Sequence, residues 1–136
     1  MSVWSWNRPD NLGLSNGRLA PCKRTPNCVS SQADPGDAVH YVTPIVYRGD
    51  SNAALAALRA AIRAMPRARI VRETSEYLYA EFRSRLMRYV DDVEFAIDRA
   101  AGVIHVRSAS RLGRHDFGVN RARVEAIRRL IDEQSA

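Results

Sequence analysis

The sequence predicts an α+β domain: a two-layer sandwich whose antiparallel meander sheet of four to five strands carries two helices on one face, with an irregular N-terminal arm. Three observations predict it. The chain has 136 residues, 46% apolar and 26% charged, which suits one globular domain with a core of its own. Segments 52–65 and 120–131 repeat apolar residues at the three- and four-residue spacing of a helix. Between them lie runs that alternate apolar and polar residues, joined by short links, as antiparallel strands with one buried face require. Helices gathered on one face of such a sheet make the α+β sandwich.

The elements follow in chain order. Residues 1–38 are rich in Pro, Gly, Asn, Asp and Ser, with turn signals at Arg8-Pro9-Asp10-Asn11, Ser15-Asn16-Gly17 and Asp34-Pro35-Gly36-Asp37. They read as the arm, pinned by Trp4 and Trp6 to a single body over 39–136. Residues 39–47 are β-rich, but Pro44 has no N–H for a ladder, so an edge strand is expected. Ser51 is the expected N-cap of the first helix, Leu55, Leu58, Ile62 and Met65 its buried stripe, and Pro66 its end. Residues 70–84 place Leu78, Ala80 and Phe82 on one face and Tyr77, Tyr79, Glu81 and Arg83 on the other, with 69–73 forming a strand of its own before a turn at Thr74-Ser75. Residues 89–98 turn Val93, Phe95 and Ile97 inward and Asp92, Glu94 and Asp98 outward. A hairpin loop at 99–102 returns the chain along 103–111. After a loop at 112–119, Asn120 is the expected N-cap of the last helix, with Val124, Ile127, Leu130 and Ile131 inward.

The net charge of +6 comes in blocks. Residues 51–72 hold five Arg and no acid, 73–98 seven acids against three Arg, and 107–129 seven Arg against two acids, so the blocks can neutralise one another across the fold. Lys23 is the single lysine; Arg in place of Lys throughout reads as compositional bias and argues against nucleic acid as the partner. No apolar run approaches the ~20 residues of a spanning helix. The opening residues lack the order of an export signal. The expected location is therefore the cytoplasm, or the cell envelope if an export or anchor segment has been removed. Cys22 and Cys28 fit neither a zinc site nor a CxxC redox pair; a small-loop disulfide, adjacent thiols or a reactive thiol all stay open.

With a loop at 99–102, Ile97 lies opposite Ile104, Val93 opposite Ser108 and Asp91 opposite Ser110. The apolar face thus becomes polar at one end, with Asp91, Ser108 and Ser110, and a carboxylate there must be hydrogen-bonded or neutralised. Asp91 is either a structural pin or the acid/base group of an open pocket. On the outer face Glu94 pairs with Arg107, and Glu81 lies opposite Asp92. Glu81, Asp92 and Glu94 have the oxygen chemistry of a hard-cation site, although a solvated, Arg-compensated face is the more ordinary outcome. The 107–121 loop holds Ser108, Ser110, Arg111, Arg114, His115, Asp116, Asn120 and Arg121 and leads into a helix N-terminus, a place to receive an anion. It matches no phosphate-cradling loop and no nucleophile elbow. No cofactor is expected.

Three segments together resemble a known family. They are Gly17-Arg18-Leu19-Ala20-Pro21-Cys22 running into Pro26-Asn27-Cys28-Val29-Ser30-Ser31; Tyr77-Leu78 to Tyr89-Val90-Asp91-Asp92-Val93-Glu94-Phe95; and Val106-Arg107-Ser108-Ala109-Ser110-Arg111 to Asp116-Phe117-Gly118-Val119-Asn120-Arg121. The chain resembles the bacterial and plant domain-of-unknown-function family 1499 over about residues 13–131. The resemblance implies no activity; exported relatives imply an oxidised Cys22–Cys28 pair. Its motifs place the 26–31 loop against the Asp91/Ser110 end of the sheet, one cluster of Asn27, Ser30, Ser31, Asp91, Arg107, Ser108, Ser110, Arg111, Asn120 and Arg121. The function expected is non-enzymatic binding of a small polar or anionic ligand there. The alternatives are a hydrolase-like enzyme using Asp91 with Ser108, Ser110 or Arg107, and an Arg-rich binder of nucleic acid or anionic lipid.

Overall fold

The computed structural model describes residues 7–85, 89–113 and 115–134. Trp4 and Trp6, and with them the expected pinning of the arm, lie outside the described residues, as does Arg114. The elements are β1 (Cys28–Ser30), β2 (Ile45–Val46), α1 (Ser51–Arg63), β3 (Ala68–Glu73), β4 (Tyr77–Arg83), β5 (Val90–Asp98), β6 (Val103–Ser110) and α2 (Val119–Gln134). The strands form one antiparallel sheet in the order β1-β6-β5-β4-β3, with β2 also paired to β6. β3 to β6 are the meander, and the class is α+β.

The registers fall where the alternation puts them. Ile97 faces Ile104, Val93 faces Ser108, Asp91 faces Ser110, and Glu94 faces Arg107. Glu81 faces Asp92. A shift of one residue would turn every apolar side chain of β5 away from the helices, so burial of one face fixes the pairing. That face carries Leu78, Ala80, Phe82, Val93, Phe95, Ile104 and Val106, packed under Leu55, Leu58 and Ile62 of α1 and Val124, Ile127 and Ile131 of α2.

Four local expectations change. The sheet has six strands because Cys28–Ser30, within the stretch read as irregular, pairs with the far edge of β6; three residues are too few to show a period. The 39–47 run narrows to Ile45–Val46, since Pro44 interrupts the ladder. Asp50, not Ser51, caps α1: its carboxylate accepts the Asn52 amide at 3.0 Å. Asp116, not Asn120, supplies the carboxylate at the start of α2, accepting the Gly118 amide just before the helix at 2.9 Å and the Asn120 amide within it at 3.1 Å.

The outer face is the larger correction. It is not solvated. The arm crosses it, and Leu12 and Leu19 pack on Tyr77, Tyr79 and Ala96 in a second apolar cluster. Glu81 and Glu94 are 0% exposed and Asp92 1%. The sheet is therefore covered on both sides, by helices on one and by the arm on the other.

Candidate functional site

Alternation along β5 sends neighbouring Asp91 and Asp92 to opposite faces, so one end of the sheet carries two polar clusters. On the helix side, Asp91 is held by Arg123, whose Nη2 lies 2.7 Å from Oδ2. Burial pushes the Asp91 carboxyl above its ordinary range, and Arg123 and Ser110 pull it back only in part. Arg123 also reaches Ser108 Oγ and Asn120 Oδ1, and stacks 4.8 Å from the centre of the Phe82 ring. Asn120 is 0% exposed and joins the elements: Ser108 donates to its Oδ1, and its Nδ2 points at Ser110 Oγ, the Asn27 carbonyl and Asp116. Every member has partners within the cluster, which is the arrangement that pins α2 and the 111–119 loop to β6.

On the arm side, Arg111 binds Asp92 through Nε and Nη2, and its Nη2 also meets Glu81 and the Tyr79 hydroxyl. Arg8 takes Glu81 with two bonds, at 2.8 and 3.0 Å, and Arg69 adds a third at 3.1 Å. The Tyr79 hydroxyl lies between Glu81 and Asp92, and Tyr77 donates to Glu94. Burial raises both phenols, and the carboxylates beside them add to the rise. The Gly13 amide donates to Glu94 at 2.7 Å, a close approach made with φ +94°. Guanidinium groups, phenols and the Gly13 amide thus take both oxygens of Glu81 and Asp92 and Oε2 of Glu94, and among the described residues no group of three His, Cys, Asp or Glu side chains could hold an ion.

Arg107 is the exception to this pairing. Its side chain is only 7% exposed, its Nη1 is 3.8 Å from Glu94 Oε1, and its Nη2 makes one long bond of 3.4 Å to the Pro21 carbonyl. Arg107 Nε and Glu94 Oε1 are buried with no hydrogen-bond partner. Burial lowers the Arg107 pKa, with Glu94 opposing. Arg107 lines a cleft of about 360 Å³ with Arg111, Ser110, Asn27 and Lys23, closed on its other side by the 9–11 turn.

The expected single cluster is therefore divided. Asn27 does join β6 to the loop: its carbonyl accepts the Ser110 amide at 3.0 Å and its Nδ2 donates to Gly113. Arg107 and Arg111 face the arm, whereas Asp91, Ser108, Ser110 and Asn120 face the helices, with Ser110 also at the cleft wall. Ser30 and Ser31 lie further along β6, Ser30 accepting the Gln32 amide and Ser31 bridging the Val106 amide and His105. Arg121 is spent on the carbonyls of Ala38, Val39 and Tyr41. Cys22 and Cys28 form a disulfide, which closes the loop carrying Lys23. Sequence reasoning missed Arg123 and Asp116 as partners of the cluster; Asp116 two residues before Gly118 was the available signal, and Arg123 offered none before α2 was docked.

Among the described residues no helix is long and apolar enough to cross a membrane. No curated protein matches the chain. The sequence model of one family, described as a protein of unknown function, matches residues 18–131, which takes in the disulfide loop, the helix-side polar cluster and most of α2 but begins after the 9–11 turn, Arg8 and Gly13. The chain belongs to that family, DUF1499.

Proposed function

We propose that the domain binds a small polar or anionic ligand, without catalysis, in the cleft between the 9–11 turn, the disulfide loop and the end of β6. The observation that carries this is Arg107: a nine-tenths-buried guanidinium on the cleft wall, with Nε unpartnered, beside exposed Lys23 and the amide of Asn27. An Arg left with open donors in a dry setting is suited to a carboxylate or phosphate oxygen. Asp91, the residue an enzyme reading needs, is on the opposite face and engaged by Arg123.

The test is a thermal-shift screen of small carboxylates and inorganic phosphate, followed by calorimetry. A ligand at about a hundred times its Kd should stabilise the fold by about 2.7 kcal/mol. Lys23→Ala, on an exposed side chain, should weaken that ligand roughly tenfold with no loss of Tm, as removal of one charge-assisted contact would. Asp91→Asn should leave the affinity unchanged. A ligand whose binding ignores Lys23 and Arg107→Met but is lost with Asp91→Asn would move the site to the other face and restore the enzyme reading.

A further inference from the structure

The sheet end that carries the 111–119 loop differs from the opposite end in both charge and apolarity. Phe117 is 97% exposed, and its φ of +53° is a left-handed conformation that a bulky side chain rarely adopts. A backbone outlier that holds a large apolar side chain clear of the protein points to something outside the protein. Leu112 (46% exposed) and Tyr89 (47%) stand at the same end, because the Arg111 amide bonds the Val90 carbonyl where β6 meets β5. Val119, 48% exposed, opens α2 beside them.

The charge around these side chains is basic. Exposed Arg63 ends α1; Arg67 precedes β3 and Arg85 follows β4 at the same edge, and Lys23 sits on the adjoining disulfide loop. Asp91, Asp92 and Glu81 at this end are buried and paired with arginines, while Asp10 is exposed and half-buried Asp116 is engaged by the amides of Gly118 and Asn120. At the far end charges of both signs mix: Asp50 before α1, Glu76 in the β3–β4 turn, Asp98 at the hairpin and Asp132 near the end of α2 stand with Arg48, Arg18 and Arg99, the last paired with Glu76. The exposed cations Arg63, Arg67, Arg85 and Lys23 thus stand at the end that presents Phe117, Leu112 and Tyr89.

We propose that this end docks on an anionic membrane surface, with Phe117 and Leu112 entering the headgroup region and the surrounding Arg and Lys side chains facing lipid phosphates. Apolar side chains ringed by cations are what an interface of that kind rewards, and each added cation near the surface strengthens attraction to acidic lipid. A nucleic acid would use the cations but would leave the aliphatic Leu112 and Val119 without a role. This inference is separate from the cleft reading, since Phe117 does not line the cleft.

The experiment is co-sedimentation of the full chain with large vesicles of phosphatidylcholine alone, or with about one third phosphatidylglycerol. Partitioning should be at least about tenfold stronger onto the anionic vesicles and should fall as salt rises. Phe117→Ala and Leu112→Ser, both on exposed side chains, should each keep the wild-type melting curve and reduce partitioning roughly tenfold. Equal partitioning onto both vesicles, absence of binding to either, or variants that sediment like the wild type would overturn the proposal. So would salt-sensitive binding of duplex DNA that displaces the vesicles and ignores Phe117→Ala.

Discussion

Asp91 and Asp92 show how one residue step decides chemistry. They share a sequence neighbourhood and an acid, yet Asp91 meets Arg123 under the helices and Asp92 meets Arg111 under the arm. Each pairing removes a charge from water and recovers the cost only through its partner. Truncating one partner is therefore severe. Arg123→Met should destabilise the protein by about 3–5 kcal/mol, because Asp91 is left buried with only Ser110. Urea denaturation at neutral pH measures this, and a loss below about 1 kcal/mol would show that the pair is solvated in practice. The inward position of Asp91 opposite Ser110 was legible from alternation and loop length alone. Arg123 was not: on an isolated helix it reads as a solvent-facing charge, and only the docking of α2 sets it over Phe82.

At the scale of elements, the irregular N-terminal stretch does the work of a layer. Its Leu12 and Leu19 cover Tyr77 and Tyr79, and its Arg8 neutralises Glu81. The disulfide loop is the part of it best placed to be tested. Cys22 and Cys28 are six residues apart, and residue 28 is held independently by pairing with Ala109, whereas Lys23 is carried by the loop alone among the described bonds. Closing so small a loop stabilises by about 2 kcal/mol through the unfolded chain. Reduction with a dithiol should lower the unfolding free energy by that amount and leave the sheet intact, as read by urea melts with and without reductant. A change near zero would mean that the β1–β6 pairing already restrains the loop in the unfolded ensemble. The elements read correctly from sequence were α1, α2 and β3 to β6. The arm's cover over the sheet has no period to read, since it is built from single contacts by turn residues.

For the whole molecule, the distribution of titratable groups predicts how stability follows pH. His40 has both ring nitrogens against acceptors, Asp37 Oδ2 at 2.7 Å and the Thr25 carbonyl at 3.0 Å, so the imidazolium form satisfies both. The Asp37 bond raises the His40 pKa, and the same bond lowers that of Asp37. The His40 contribution is thus complete below its ordinary value of 6.5 and is lost as pH rises through the raised folded value. The Asp37 contribution is present above its ordinary 3.8 and is lost as pH falls below it. The Tm gap between wild type and His40→Ala should therefore be wider at about pH 5.5 than at about pH 8.5. A gap that widens with pH would refute the clamp.

Charge at this scale also separates what each level of structure decided. The sequence by itself determined the α+β class, the two helical stripes, the meander and its register, because burial on one face imposes a period that a linear chain displays. It also placed acids on the outer face of the meander. That those acids are buried, and that the motif residues divide between two faces, follows only from how the arm and α2 dock on the sheet. Those outcomes depend on contacts between residues far apart in the chain, such as Arg8 with Glu81 and Arg123 with Asp91, and such contacts leave no local pattern.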